Sequence, residues 1–352
     1  MGLNHPRDLN AWRAWQARQV SAPVRAAGLA RSALASVRRA TSRTVTLTTT
    51  SPTPRTIVCM ESRSPTTALA LLAPLRHLPL EHVAVLSPGP ILDLLPEAPW
   101  IETTAELHDL ALRLVSNDSV VLSTGNYLPI GGVVHQATQR EDRFVTVQHG
   151  LLTPHAPPLA RGTTLLAFSD ADADFWRAGR VDVTTGTVGS QLLWDASRAD
   201  PTPTDPTLPP VFLGQLHGAE LPRRAMARSA EDFCIANHAA YRPHPSETDR
   251  LSRRTHARFE HDGIEIDRSG RPLPGLGRPV VSAFSTGVLE AAARGLPAWV
   301  HFDDRPAWLG EFWDRYGLAP WGGAPTAPPR QPQVEPARAV AEHVLALLRE
   351  AS

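Results

Sequence analysis

Short apolar runs alternate with longer amphipathic stretches along the chain from residue 56 onward. Runs such as 57–60 and 120–123 have the length and composition of strands that are buried on both faces. Stretches at 104–116 and 170–178 place apolar residues at helical spacing between such runs. This alternation of strands and helices predicts an α/β protein built on parallel sheets.

A proline-rich segment divides this pattern into two series. Residues 198–210 contain five prolines and almost no large apolar side chain, which is typical of a linker. We therefore expect two Rossmann-like, doubly wound domains at 56–197 and 211–335, followed by a C-terminal helix at 336–352. Ligands of such folds bind at the carboxyl ends of the strands, here in a cleft that the two domains would face.

The first 55 residues differ from the remainder in both pattern and charge. Trp12 and Trp15 are three residues apart in a stretch, 8–40, whose spacing favours helices, whereas 41–55 is rich in Ser, Thr and Pro and predicts a flexible connector. Residues 1–55 carry nine Arg and one acid, so their net charge is 9 − 1 = +8, and the rest carries 26 − 34 = −8. The arm either packs on the body or rests on an anionic membrane surface.

Composition narrows the class of protein further. At 42% hydrophobic residues the chain has enough apolar side chains for a large core, and no apolar run is long enough to span a membrane. The acidic body argues against a nucleic-acid partner. The two cysteines, Cys59 and Cys234, lie in apolar stretches and are expected to be buried thiols of a cytoplasmic protein.

The first polar cluster is Gln148-His149-Gly150, directly after the predicted strand at 145–148. An imidazole at the end of a strand can act as a general base or hold a phosphate. The alternative is a histidine that is hydrogen-bonded into its loop.

The second cluster surrounds His244, which lies between Pro243 and Pro245. The two prolines restrict the backbone around the histidine. The pattern predicts a helix at 246–259, so an anion bound beside His244 would meet free N–H groups. Arg242 is a possible second cation, although its side chain could point away.

The third cluster lies where the predicted strand at 280–282 ends and a helix begins. Ser285 and Thr286, with backbone N–H groups such as that of Gly287, could form a phosphate-binding turn. The alternative is that Ser285 is only an N-cap. Glu290, one turn further, could bind a ribose hydroxyl or brace the loop. Gly214 and Gln215, which follow the strand at 211–213, are assigned to the same phosphate-binding group.

The order and spacing of the last two clusters resemble the nucleotide-binding half of GT-B glycosyltransferases. The closest group is the bacterial sialyltransferases and polysialyltransferases, with their His-Pro and Ser-Ser/Ser-Thr motifs. The resembling segments are Arg-Pro-His-Pro at 242–245, Phe-Ser-Thr-Gly-Val-Leu-Glu-Ala-Ala at 284–292 and Gly-Leu-Pro at 295–297, and the resemblance covers roughly residues 145–300. In that group both motifs contact the phosphate of a CMP-sugar, and the histidine assists departure of the nucleotide. The resemblance thus implies these roles for His244, Ser285 and Thr286.

One motif departs from that group. Where its members carry an acidic pair before glycine, this chain has Gln148-His149-Gly150. That segment looks more like the His-Gly motif of CDP-glycerol glycerophosphotransferases, in which histidine is the proposed base. The resemblance therefore implies that His149 is the base, and it leaves the choice between a CMP-sugar and another activated donor open.

Together these features predict a metal-independent glycosyltransferase that needs no cofactor besides its nucleotide-activated donor. The acceptor would be a hydroxyl of a cell-surface polysaccharide or glycolipid, and the protein could be peripheral at the inner face of the plasma membrane. Further residues after strands are expected to line the acceptor side: Glu61, Ser62, Arg63, Gly125, Asn126 and Gln148. Asp170, Asp172 and Asp174 are expected to begin a helix, where acids favour the dipole, and not to bind metal. A glycerophosphotransferase, a UDP-GlcNAc 2-epimerase-like enzyme and a non-catalytic scaffold remain alternatives.

Overall fold

The computed structural model describes residues 2–19, 43–200, 203–205 and 208–350, which form two compact units, each with its own sheet. The first unit contains Gly2–Gly150, Pro154–Gln191 and the segment from Pro332 onward. The second contains Leu151–Thr153 and Leu192–Gln331. The prediction of an α/β protein with mainly parallel sheets is confirmed.

The first unit has an eight-stranded sheet in the order β4-β1-β3-β2-β5-β6-β7-β8. Its strands are β1 (Thr44–Thr49), β2 (Thr56–Cys59), β3 (Val83–Ser87), β4 (Ile101–Glu106), β5 (Val120–Ser123), β6 (Phe144–Val147), β7 (Thr164–Ala167) and β8 (Thr184–Thr187). The helices that accompany them are α1 (Leu9–Gln19), α2 (Pro65–Leu71), α3 (Leu107–Leu114), α4 (Pro129–Ala137) and α5 (Asp170–Arg177). All neighbours pair in parallel except β1, which is antiparallel to β3 and β4.

Both faces of this sheet are covered. Ile57 and Cys59 of β2 pack into a core with α3 and α4, whereas the alternate residues Val58 and Met60 pack into a second core with α2 and the C-terminal helix. That last helix, α11 (Pro336–Arg349), therefore belongs to the first unit, although it follows the second unit in the chain. Successive side chains of a strand point to opposite faces of the sheet, so a sheet that is covered on both faces requires apolar residues at every position of the strand.

The expectation of a flexible connector at 41–55 is wrong where β1 forms. Val45 and Leu47 are buried, and the strand lies inside the sheet between β3 and β4. Alternating Thr with Val and Leu is a strand pattern, but its Thr content resembles that of a loop. The predicted helix at 104–116 is also shorter, because β4 occupies its beginning.

The described part of the N-terminal arm packs on the first unit. The Trp12 indole N–H donates to the carbonyl of His155 at 2.7 Å, and its ring meets the ring of Tyr127 edge-on. Trp15 stacks on His155 with 4.5 Å between ring centres. Most of the predicted helical stretch, 20–40, lies outside the described residues. Among the helices that are described, none has the length and apolar character needed to cross a membrane.

The second unit has a four-stranded parallel sheet in the order β10-β9-β11-β12. Its strands are β9 (Val211–Leu213), β10 (Ala240–Arg242), β11 (Val280–Ser282) and β12 (Ala298–Val300). The helices, in chain order from the junction of the units, are α6 (Gln191–Arg198), α7 (Arg223–Asn237), α8 (Arg250–His261), α9 (Thr286–Ala293) and α10 (Ala307–Tyr316). Ile266 forms a single parallel bridge with Tyr241 beside β10. Cys234 is buried in this unit and Cys59 in the first, and both are free, as predicted.

Each sheet reverses its strand order at one place. In the first unit the chain leaves β2 toward β3 and later continues on the other side of β2 with β5. In the second unit the same happens at β9, with β10 on one side and β11 on the other. Ligands of open α/β sheets bind outside the carboxyl ends of the strands at such reversals. The loops after β2 and β5, and those after β9 and β11, therefore lie where a ligand of such a fold binds.

Candidate functional site

In the second unit, the loop after β9 joins the loops that follow its two neighbouring strands. The side-chain oxygen of Gln215 accepts from the Ser282 hydroxyl at 3.2 Å and from the Phe284 N–H at 3.1 Å. On the other side, the Leu216 N–H donates to Glu247 Oε1 at 2.9 Å. The structure thus brings the His-Pro segment and the Ser-Thr segment to one edge, with Gln215 as a structural link between β9 and β11.

Glu247 is the centre of the hydrogen bonds at this edge. Its side chain is fully buried, and Oε1 also accepts from the His244 N–H at 3.3 Å. Oε2 accepts from the Tyr241 hydroxyl at 3.0 Å and from His256 Nε2 at 2.8 Å. A buried carboxylate is costly unless it is hydrogen-bonded, and four donors satisfy this one.

Gly214 is required by this packing. A Cβ at this position would lie 2.3 Å from the Tyr241 hydroxyl oxygen and 2.7 Å from Glu247 Oε1. Gly287 is similarly constrained, because its Cβ would lie 2.7 Å from Leu213 Cδ1. Both glycines, predicted as phosphate-binding residues, therefore have a packing role in positioning the loops.

His244 is held in one tautomer. Its Nδ1 accepts from the Ser246 N–H at 3.1 Å, so the neutral ring carries its hydrogen on Nε2. Burial lowers the pKa of His244, and the Glu247 carboxylate opposes that shift. The ring is thus neutral near pH 7 and has a donor N–H that no side chain of its own loop uses.

His217 is a residue that sequence reasoning missed. Its ring stacks on the ring of His244, with 3.9 Å between centres and 17° between planes. Burial, and then the positive charge of His244, lower the pKa of His217 to about 4. A signal was present, because His217-Gly218 follows β9 much as His149-Gly150 follows β6.

The helix predicted at 246–259 begins later, and this corrects the anion site expected beside His244. The structure has α8 starting at Arg250, with Asp249 as its N-cap. Asp249 Oδ1 accepts from the N–H groups of Leu251 and Ser252 at 2.8 and 3.1 Å. The free N–H groups that would have met an anion are thus occupied by a carboxylate.

At the third cluster, α9 begins at Thr286, as the sequence predicts. The Ser285 hydroxyl accepts from the Gly287 N–H at 3.1 Å, so in this structure Ser285 has the N-cap role. Glu290 is half-buried, and burial raises its pKa against the opposing charges of Arg294 and Arg242.

Arg242 is turned toward a different loop. Its guanidinium donates to Asp267 Oδ2 at 2.9 Å and to the carbonyl of Arg271. Its charge is thus compensated, and a phosphate would have to compete for it. A cavity of about 650 Å³ lies on this side of the loop, and its lining includes His244, Glu247, Arg253, His256 and Arg268.

In the first unit, the register of the sheet brings the expected acceptor-side residues to one edge. Cys59, Ser123 and Thr146 lie side by side on β2, β5 and β6. The predicted residues two or three positions beyond them therefore follow neighbouring strand ends: Glu61, Gly125, Asn126, Gln148 and His149. Gly125 has φ +134°, a conformation that favours glycine.

Glu61 follows β2, and its side chain reaches the helix that follows the neighbouring strand β5. Its Oε1 accepts from the Gly131 N–H at 2.8 Å in the first turn of α4, whose N-cap Leu128 provides no side-chain hydrogen bond. Burial raises the pKa of Glu61, while the N–H groups of Gly131 and Ile130 oppose the shift. Glu61 therefore caps a helix that follows the strand next to its own.

Two of the predicted residues at this edge, His149 and Asn126, have a buried side-chain atom without a hydrogen-bond partner. The Nδ1 of His149 is buried without a partner, and burial lowers the pKa of this histidine to about 4. The side-chain oxygen of Asn126 is also buried without a partner. Nearly all buried polar atoms in native proteins have a hydrogen-bond partner, so these two atoms are candidates for hydrogen bonds to a ligand or to water.

Three other acceptor-side predictions have structural partners. The Gln148 amide accepts from the Phe168 N–H at 2.9 Å and donates to the Gly150 carbonyl and to Asp172. The Ser62 hydroxyl accepts from the Ser64 N–H, and Arg63 pairs with Asp93. Asp170 and Asp172 lie in the first turn of α5 behind the N-cap Ser169, as predicted.

No protein-family model matches the chain, and no curated protein matches it. The two sheet edges and their imidazoles are therefore the features of the molecule that bear on its function.

Proposed function

We propose that the protein is a glycosyltransferase of GT-B type that transfers a sugar from a cytidine-based nucleotide donor to an acceptor hydroxyl. The observation that carries the proposal is the environment of His244. Its Nδ1 is occupied and its Nε2–H is a donor, and Gln215 and Glu247 join its loop to the Ser285 turn. A donor N–H whose loop is joined in this way to the start of α9 suits a phosphate that gains charge as it leaves.

The donor half of the mechanism uses the second unit. Ser285, Thr286 and the first N–H groups of α9 would hold the phosphate of the nucleotide. As the bond between the sugar carbon and the phosphate oxygen breaks, the electron pair stays on that oxygen. The Nε2–H of His244 would then donate to it and stabilise its charge.

The acceptor half uses the first unit. His149 is neutral at pH 7 because burial lowers its pKa to about 4, so it has a lone pair that can accept a proton. It would take the proton of the acceptor hydroxyl as the new bond to the sugar carbon forms. The acceptor we propose is a polysaccharide or a lipid-linked glycan.

A second candidate is transfer of glycerophosphate from CDP-glycerol. It is favoured by His149 itself, because a histidine at this position resembles the His-Gly motif of that class more than an acidic pair. The two candidates share the cytidine nucleotide and differ in the transferred group. Turnover of CDP-glycerol with no turnover of CMP-sugars would select the second.

The first test asks which nucleotide the protein binds. Thermal shift of the full chain with CMP, CDP, UDP and GDP should show stabilisation by cytidine nucleotides. The His244→Ala variant should lose that stabilisation, whereas the control His261→Ala, an exposed histidine at the end of α8, should keep it. Selective stabilisation by UDP would favour an epimerase-like enzyme, and no stabilisation by any of them would favour a scaffold.

The basic stretch within residues 8–40 bears on where the protein acts. We propose that the protein is cytoplasmic and peripheral at an anionic membrane, held by the basic stretch within 8–40. Removing residues 1–50 would delete β1, so the sharper test neutralises charge in the full chain: Arg25→Gln, Arg31→Gln, Arg38→Gln and Arg39→Gln combined. Weaker flotation with phosphatidylglycerol vesicles is expected, and equal flotation of both proteins would contradict the proposal.

A further inference from the structure

The second unit holds two imidazoles in direct contact. The rings of His217 and His244 are nearly parallel and 3.9 Å apart, and they come from loops that follow two adjacent strands. Each residue is exposed to solvent along part of its surface. A ligand in solution can therefore reach the pair. The nearby ring of His256, in contrast, is buried and hydrogen-bonded to Glu247.

The contact between the rings depends on one carboxylate. Glu247 Oε1 accepts the N–H of Leu216, the residue before His217, and the N–H of His244 itself. The same oxygen thus ties the backbone of both loops at the points from which the two imidazoles project. The Tyr241 hydroxyl and His256 hold the other oxygen, so the carboxylate cannot turn without losing two further bonds.

Charges of both signs surround the pair. Among the described residues, the Glu247 carboxylate opposes the lowering of the pKa of both rings, and its oxygens are turned inward to four donors. Arg253, Arg268 and Asp267 line the same cavity as His244. Arg223, at the start of α7, adds positive potential at His217. Two imidazolium rings in contact repel each other, so the free pair favours the neutral state, and an anion offsets that repulsion.

We propose that His217 and His244 form a single phosphate-binding pair, with Glu247 as the positioning residue that sets their contact. The inference rests on the proposed nucleotide site and deepens it. It adds His217 as a second contact to the phosphate, and it makes protonation of His217 part of binding, because Nδ1 of His244 already accepts the Ser246 N–H. A phosphate carrying two negative charges binds with uptake of a proton, so its affinity rises as the pH falls from 8 toward 6.

The experiment is calorimetric titration of the full chain with CMP and with inorganic phosphate between pH 6 and 8. Two buffers of different ionisation enthalpy report the protons taken up. His217→Ala should weaken CMP binding by about tenfold or more and flatten its dependence on pH. The control His261→Ala should change neither quantity. Unchanged affinity and unchanged pH dependence in His217→Ala would overturn the pair.

The positioning role of Glu247 is tested by two measurements that a loss of fold stability alone would not change: the NMR signals of the two histidine rings and the proton uptake on binding. The Glu247→Gln variant replaces an acceptor oxygen with a donor amide, and Tyr241→Phe removes one bond while keeping the carboxylate. Both should shift the histidine ring signals of His217 and His244 in NMR and reduce proton uptake, with the milder effect in Tyr241→Phe. If Tyr241→Phe stays folded with both ring signals and proton uptake at wild-type values, the positioning role is wrong.

The outcomes separate this inference from the proposed function. Loss of CMP binding in His244→Ala but not in His217→Ala keeps the nucleotide site and rejects the pair. If inorganic phosphate shifts the NMR signals of both rings in a protein that binds no nucleotide, the pair stands and the proposed function is rejected. If neither phosphate nor nucleotide moves the two ring signals, both are rejected.

Discussion

His149 and His244 both follow a parallel strand, yet the two units treat the imidazole in opposite ways. His149 is half-buried, its Nδ1 is buried without a partner, and burial lowers its pKa to about 4. His244 has its Nδ1 filled by the Ser246 N–H, stacks on His217 and remains exposed. The first ring is kept neutral and lacks a partner, which suits a proton acceptor. The second has a defined donor, which suits a phosphate.

The comparison shows that position in an α/β fold does not decide the chemistry of a histidine. Both rings stand where such folds bind ligands. The difference comes from the neighbouring loops, since Glu247 and Ser246 orient the second ring, whereas no described side chain orients Nδ1 of the first. Each of the following predictions tests one part of that difference.

The largest effect is expected on catalysis. His244→Ala and His149→Ala should each lower kcat/KM by about 10²- to 10⁴-fold, because one removes the proposed donor to the leaving phosphate and the other removes the proposed base. Steady-state assays with a cytidine donor measure this, with His261→Ala and the exposed His108→Ala as matched controls. Full activity in either site variant would remove that residue from the mechanism.

The next effect is on stability against acid. Because burial depresses the pKa of His149, the folded state prefers its neutral ring. That contribution is complete above about pH 6.5 and is lost as the pH falls toward 4, at a cost of at most about 3 kcal/mol. Urea unfolding of wild type and His149→Gln at several pH values should show a smaller loss in the variant. Parallel curves would contradict the assignment.

Gly214→Ala tests the packing that holds the imidazole pair. The added methyl would meet the Tyr241 hydroxyl and Glu247, so we expect a loss of about 1–3 kcal/mol in the free energy of unfolding. Gly275→Ala is the matched control, because a Cβ there meets no atom within 4 Å. Chemical denaturation of both variants measures the difference, and equal stability would refute the close approach.

Ser285→Ala should have a smaller effect on stability and a separate effect on binding. Loss of its bond to the Gly287 N–H should cost about 1 kcal/mol, the usual value of an N-cap. If the hydroxyl also meets phosphate, CMP affinity should fall about tenfold in addition. A stability loss with wild-type affinity would leave Ser285 as a cap only.

The smallest effect is expected at Arg63. Its ion pair with Asp93 is exposed on both sides, so Arg63→Ala should change stability by less than about 0.5 kcal/mol. Chemical denaturation measures the free energy of unfolding, and a change of more than about 1 kcal/mol would contradict the small contribution expected of an exposed ion pair.

Much of the fold was readable from the chain. The runs at 57–60, 120–123 and 145–148 became β2, β5 and β6, because a strand buried on both faces needs a continuous apolar segment. β1 was missed, since its threonines resemble those of a loop and only the pairing with β3 and β4 makes them a strand.

The sequence by itself determined which polar residues come at the ends of strands, and therefore named His149, His244 and Ser285. Only the tertiary structure decided what each of them meets. Glu247 reaches Leu216 across 31 residues, and His217 meets His244 across the gap between two strands. Such contacts depend on sheet order and register, which local patterns do not encode, whereas the tendency of a segment to form a buried strand depends mainly on its own side chains.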